Sequence, residues 1–203
     1  MKKRDEWLVN LDAEIAFWRQ ELLTWKNDPT NVRMVDQHPL EWHVREYFPE
    51  GDEYDILDVG AGPISALGNK WWGKKLNIRA TDPLADVYND IMQEYGIVPR
   101  IITEKVEGEH LSESLPHDSF DFVYVKNALD HTHNPFRCID EILKVLKVNC
   151  CCSLDHIVNE GTLANWNGLH QWDFYYEGNI FFIADRDHKN VINMNKKLEG
   201  RAE

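Results

Sequence analysis

The chain has 203 residues and a hydrophobic content of 43%, which suits one globular domain with a small extension. Lysine and arginine total 22 against 35 aspartates and glutamates, a formal charge of −13. Such a surface repels phosphate backbones, so DNA and RNA rank low as substrates. No apolar run reaches the ~20 residues that span a bilayer, and MKKRDEWLVN lacks the apolar stretch of a signal peptide. The expectation is a soluble, cytoplasmic protein.

An amphipathic helix is predicted over 5–26, where Leu8, Leu11, Ile15, Trp18, Leu22 and Trp25 recur at steps of three and four. It reads as a helix docked on the main domain, and it is placed to act as a lid. Asp28-Pro29 should stop it, because the residue before proline avoids the α region. A second short helix is predicted over 39–48, with Pro39 in its first turn. The domain division is therefore a helical extension over 1–50 and a main domain over 51–203.

From residue 54 the pattern becomes strand, turn and helix, repeated. Tyr54–Val59 is an apolar run closing on Gly60-Ala61-Gly62, and a helix is predicted over Ile64–Trp72. Strands follow at Asn77–Thr81, Ile101–Val106, Phe120–Val125 and Cys150–Ile157. Helices are predicted at Leu84–Tyr95, stopped by Gly96, and at Pro135–Leu146, with Asn134 as N-cap. This alternation implies an α/β fold, with a mostly parallel sheet and helices on both faces. After 158 the reading weakens to a hairpin of Ile180–Ile183 and Val191–Met194 across Asp187–Lys189, so the last part of the sheet is abbreviated or absent. Cys138, Cys150, Cys151 and Cys152 lack zinc-finger spacing and read as reduced, mostly buried thiols.

In such a sheet, ligands bind beyond the C-terminal strand ends. Those ends carry Asp58, Gly60 and Gly62, then Asp82, Glu107 and Glu109, then Asn127, Asp130 and His131, then Asp155 and His156. Gly60 and Gly62 let the backbone turn tightly against a ligand. The predicted helix behind them would offer free N–H groups to a carboxylate. A carboxylate at Asp82 can accept both hydroxyls of a ribose.

DILDVGAGPIS at 55–65 resembles the first motif of class I methyltransferases that use S-adenosylmethionine (SAM), and IRATDP at 78–83 resembles their second-strand motif. VEGEHL at 106–111 and LPHDSFDFVYVKNALDHTHNPFRCIDEILKVLK at 115–147 resemble the acidic loop, fourth strand and following helix of the small-molecule type. The resemblance covers about 55–160 and implies a Rossmann-like fold, SAM as cofactor and methyl transfer as activity. It implies Asp58, Gly60 and Gly62 at the methionine end, Asp82 on the ribose, Glu107 and Gly108 at the adenine, and Asn127 beside the sulfonium. Two departures are visible: Pro63-Ile64-Ser65 replaces the third glycine, and LKVNCC at 146–151 replaces Leu-Lys-Pro-Gly-Gly, with Asn149 placed to supply a left-handed residue. NAD is the rival cofactor. An aspartate directly before the turn, Asp58, suits an ammonium and sulfonium and suits a pyrophosphate poorly.

Transfer to oxygen also needs a proton removed, which suits a histidine. His131, with Asp130 beside it, is the first candidate base and His156 the competitor, and His170 in GLHQWDF is a further neighbour. His131 and His133 lack partners at metal-like spacing, so no metal site is expected. Trp166, Trp172, Phe174, Tyr175 and Tyr176 read as core or as a wall for an acceptor. The function expected is methyl transfer to a small molecule or glycan, at oxygen; the alternative is a SAM-fold binding or regulatory protein without turnover.

Overall fold

A computed structural model describes residues 2–28 and 30–202. Helix α1 (Lys2–Lys26) leads to a short helix α2 (Trp42–Arg45). Then come β1 (Glu53–Val59), β2 (Lys75–Asp82), α3 (Ala85–Tyr95), β3 (Thr103–Lys105), α4 (Leu111–Ser114), β4 (Phe120–Lys126), α5 (Pro135–Val145) and β5 (Leu146–Asp155). The chain closes with α6 (Glu160–Leu163), β6 (Trp172–Glu177), β7 (Ile180–Asp185), β8 (Val191–Asn193) and α7 (Met194–Leu198). Pro29, the expected stop of the first helix, lies outside the described residues. Among those described, no helix is long and apolar enough to cross a membrane.

The first five strands form one sheet in the order β3-β2-β1-β4-β5, with every pairing parallel. This is the parallel α/β sheet that the alternation of strands and helices implies, and the Rossmann-like fold that the family resemblance implies. Alternate residues face opposite sides of a strand. Leu57, Val59, Val123 and Val125 therefore pack on Ile139, Ile142 and Val145 of α5. Tyr54, Ile56, Phe122 and Tyr124 pack on Leu40, Val44 and Leu67 across the other face. Helix α5 starts as its sequence requires, with Pro135 in the first turn and the Asn134 side chain accepting from the Arg137 N–H. Gly96 caps α3 at φ 66°.

The helix predicted over Ile64–Trp72 does not form. Its backbone groups are bonded elsewhere: the N–H groups of Asn69 and Lys70 donate to the His38 carbonyl, and Lys70 accepts from the Leu40 N–H. Arg100 donates to the Ser65 and Leu67 carbonyls, and the Leu67 N–H donates to Ser65 Oγ. With these partners in place, an i to i−4 ladder has nothing left to satisfy. Gly68 lets the strap of residues 38–40 approach, since a Cβ there would lie 2.1 Å from the Pro39 carbonyl oxygen. Pro39 in turn sits in a single bridge with Lys70, so the helix predicted over 39–48 contracts to α2.

The C-terminal strands form their own antiparallel sheet, β6-β7-β8. The hairpin of β7 and β8 was legible; β6 was not, and none of the three joins the parallel sheet. Its packing residues Trp172, Phe174 and Ile183 are buried in the core shared with α5, so Trp172 and Phe174 are core aromatics. Asn149 adopts φ 62°, and pairing jumps from Phe120↔Leu146 to Phe122↔Cys151. The Lys-Val-Asn replacement is absorbed as a bulge in β5. Cys138 is buried, whereas Cys151 is exposed.

Helix α1 lies on α3. Leu22 is fully buried, with Leu11, Ile15, Trp18 and Trp25 half-buried against the Tyr88, Ile91 and Met92 cluster. The predicted stripe needs one change: Leu8 is exposed and Trp7 is buried. Four-residue spacing from Leu11 selects Trp7.

Candidate functional site

A cavity of about 670 Å³ opens at the C-terminal ends of β1, β2 and β4, in the size range of small-molecule sites. Helix α1 forms one wall through Trp7, Glu14, Phe17 and Trp18. Asp58, Gly60, Gly62, Asp82, Glu107, Gly108, Asn127 and His131 all line it, so the chain brings together residues as much as 73 positions apart, from 58 to 131.

Gly60 and Gly62 adopt φ 68° and 65°, conformations that a Cβ disfavours. At Gly60 a Cβ would lie 2.3 Å from Ala128 Cβ, so the glycine also lets the β1 and β4 turns meet. Asp58 is buried, and its Oδ2 accepts from Ser65 Oγ at 2.5 Å. Burial pushes its carboxyl up to about 6, against the bond from Ser65 and the charge of Arg33. Asp82 accepts from the Gly62 N–H at 3.1 Å and from the Leu84 N–H at 2.9 Å. Burial pushes it up to about 6 as well, opposed by those two backbone bonds. Two carboxylates that burial makes costly to ionise therefore sit at adjacent strand ends.

Because no helix follows the glycine turn, no helix N-terminus is available there for a carboxylate. The available cation is Arg33, from the turn Val32–Met34, which sequence reasoning missed. It lines the cavity, donates to the Ile64 carbonyl at 2.7 Å and lies over the Trp25 ring at 5.2 Å. No carboxylate pairs with it among the described residues. Its only sequence signal was a lone arginine after the first helix.

At the opposite end, Glu107 is held bidentately by Arg4 of α1 at 3.0 and 3.1 Å. Gly108 packs against Cys138, whose Sγ would lie 3.1 Å from a Cβ there. Glu109 is buried and structural: it accepts from the N–H groups of His133 and Asn134 and pairs with the His133 ring at 2.8 Å. Asn127, at φ 49°, ties β4 to the chain after β5 by accepting from the Ile157 N–H.

The residues expected on the acceptor side are arranged differently from expectation. Asp130 is buried, but its hydrogen-bonded histidine is His170, with Nδ1 2.7 Å from Oδ2, and not His131, whose Nε2 stays 3.5 Å away. His131 instead sets Nε2 3.0 Å from His170 Nδ1. The bond to Asp130 raises the His170 pKa from its ordinary value. His170 arrives from the loop before β6, 39 residues after His131, which is why local spacing did not pair them. Glu160, from α6, lines the same corner. His156 does not face this cavity. It stacks on Phe174 at 4.4 Å, neither ring nitrogen has a partner among the described residues, and burial pushes its pKa down to about 4. His156 directly follows Asp155, the last residue of β5, which lines the cavity, and successive side chains point to opposite faces.

A family model described as a methyltransferase domain matches residues 57–154. Similar solved structures include the YcgJ protein from Bacillus subtilis, at 20% identity over 66% of this chain and 67% of that one, with a TM-score of 0.41. An arsenic (III) S-adenosylmethionine methyltransferase from Chlamydomonas reinhardtii is 22% identical over 53% of this chain and 42% of its own, TM-score 0.38. A putative SAM-dependent methyltransferase from Methanococcus maripaludis is 18% identical over 48% and 45%, TM-score 0.37. The chain thus spans less than half the length of the latter two. No curated protein matches it.

Proposed function

We propose that the chain is a class I SAM-dependent methyltransferase, as the methyltransferase-domain match over residues 57–154 supports, and that it methylates an oxygen of a small-molecule or glycan acceptor held against the Asp130, His131, His170 and Glu160 corner. One observation carries this reading: a single cavity joins the Asp58–Gly60–Gly62–Asp82 rim to that polar corner. On this reading Asp82 accepts the ribose hydroxyls, Gly108 and Glu107 flank the adenine, and Asp58 and Arg33 hold the ammonium and carboxylate of the methionine end. Asn127 closes the floor between the two ends. SAM supplies a methyl group already activated on a sulfonium.

The protein's contribution is then position and exclusion of water. Bound there, SAM would give its methyl group to an acceptor hydroxyl oxygen and leave as S-adenosylhomocysteine, and the polar corner would take up the hydroxyl proton. Helix α1, with Trp7 and Trp18 on the cavity, acts as the lid, and residues 1–50 serve as an extension over the domain of 51–203.

The test is incubation of the full chain with methyl-labelled SAM and pooled small-molecule and glycan acceptors, read by product mass. A labelled O-methyl product supports the proposal. Tight binding of S-adenosylhomocysteine (SAH) with no labelled product in any pool would instead describe a binding protein without turnover.

A further inference from the structure

The Asp130–His131–His170 corner has a geometry that hydrogen bonding alone does not account for. Asp130 Oδ2, His131 Nε2 and His170 Nδ1 converge, with mutual separations of 2.7, 3.0 and 3.5 Å. The three atoms lie within 4.8 Å of one another and each is a metal-competent donor. His170 Nδ1 carries at most one hydrogen and faces two lone-pair-bearing atoms at once. Asp130 is 1% exposed, yet its second oxygen, Oδ1, has no partner among the described residues. A buried carboxylate oxygen left unpaired is costly, and a cation beside it removes that cost.

We propose that these three side chains form a binding site for a divalent first-row transition-metal ion at the wall of the cavity. An ion with bonds of about 2.1 Å to nitrogen and oxygen separates neighbouring ligands at 90° by about 3.0 Å, and at tetrahedral angles by about 3.4 Å. The observed separations bracket the first value, as three mutually adjacent ligands on one face of an octahedron require. Two imidazoles and one carboxylate select manganese, iron, cobalt or zinc over magnesium or calcium, which prefer oxygen ligands. The remaining charge around the site is also suited to a cation: Glu14 lies 3.8 Å from His131 Nδ1 and Glu160 lies 4.0 Å from His170 Nδ1.

The ligand positions left open belong to the cavity side, because His131 and His170 line the cavity while Asp130 lies behind them. The class of molecule that fits is an acceptor with one or two oxygen donors. The inference rests on the reading of this corner as the acceptor end, but the cation site itself does not depend on methyl transfer. Local spacing concealed it, since one ligand is 39 residues from the next.

The test uses full-length protein treated with chelator and then titrated with Co²⁺, followed by its visible absorption and by calorimetry, with SAH binding measured on the same samples. One equivalent of Co²⁺ is expected to bind. His131→Ala, His170→Ala and Asp130→Asn should each weaken binding at least tenfold, while His117→Ala, on an exposed loop, leaves it unchanged. Unchanged SAH affinity shows that each variant is folded. Should a variant fail to fold, Zn²⁺ added to the wild type should shift the ring signals of two histidines in NMR spectra. Absence of saturable Co²⁺ binding, equal affinity in all variants, or Zn²⁺ shifts confined to other histidines would overturn the site. Co²⁺ binding without SAH binding would leave the site standing and defeat the proposed function.

Discussion

SAH binding should weaken steeply as pH falls below 6, and Asp82 should own part of that dependence. Asp58 and Asp82 are both held near 6 in the free protein, chiefly by burial. The ammonium and ribose hydroxyls of SAH donate hydrogen bonds, so binding selects the ionised carboxylates. The sign follows: affinity is full well above 6 and is lost as pH falls through it. At pH 5 a carboxyl with a pKa of 6 is ionised in about one molecule in eleven, so two independent groups weaken binding by about 100-fold relative to pH 8. Near pH 6 each group is half protonated, and binding should release about one proton in all. Asp82→Asn keeps the shape but removes one titrating group and the charge-assisted bonds. At pH 8 it should lose about 1.5–3 kcal/mol, or roughly 10–150-fold in affinity. Its further loss on going to pH 5 should shrink to about tenfold, the share of Asp58. The assay is calorimetry from pH 5 to 8 in buffers of differing ionisation heat, with circular dichroism confirming the fold. An affinity independent of pH, or an Asp82→Asn profile as steep as that of the wild type, would refute the assignment of both carboxylates to the ligand.

Three further outcomes follow from named contacts. Arg33→Gln should weaken SAH by about tenfold or more, the worth of one charged hydrogen bond, yet leave 5′-methylthioadenosine, which lacks the carboxylate, unchanged; calorimetry with both ligands decides it. His156→Phe should preserve turnover and raise stability, by about 2 kcal/mol at pH 5 and by less at pH 8. The native imidazole is held near 4, below its unfolded value of about 6.5, so its contribution is lost as pH falls through that interval; urea melts at the two pH values measure the difference. Gly60→Ala, which sets a Cβ 2.3 Å from Ala128 Cβ at φ 68°, should cost at least about 1–3 kcal/mol and lower SAH affinity, read by the same melts and by calorimetry.

That Asp58, Gly60, Gly62 and Asp82 meet on one cavity was legible because the pattern is local. Asp58 and Asp82 lie at the ends of their strands and Gly60 and Gly62 come just after one, and a parallel sheet fixes what happens beyond such stops. The helix over 64–72 was not legible, because its periodicity is overridden by partners from elsewhere: the His38 carbonyl, the Leu40 N–H and Arg100. Arg33 was missed for the same reason, since its place on the cavity depends on how the 31–35 segment folds back over Ile64. The Asp130–His131–His170 corner was hidden in a third way. Asp130 and His131 were visible at the end of β4, but the histidine that bonds Asp130 comes from a loop whose destination no local pattern encodes. His156 was misplaced because the strand register that turns it toward Phe174 was not known.

The separate sheet of β6, β7 and β8 bears on how this protein can change. Its chain is fastened to the parallel-sheet body beside the site by two bonds, from the Gln171 N–H to the Asp130 carbonyl at 2.9 Å and from the Trp172 indole to the Thr132 carbonyl at 2.8 Å. The stretch between Asn159 and His170 is held further by the Asn159 N–H on the Phe174 carbonyl, by the Thr162 N–H and hydroxyl on the Asp173 carboxylate, and by His170 on Asp130. Insertions or exchanges in this stretch can redraw the wall around Glu160 and His170 while β1, β2 and their carboxylates keep their places. On the proposed function, one half of the cavity is a fixed socket and the other a replaceable faceplate, and grafting the 159–170 loop between homologous chains should change acceptor preference while SAH affinity stays.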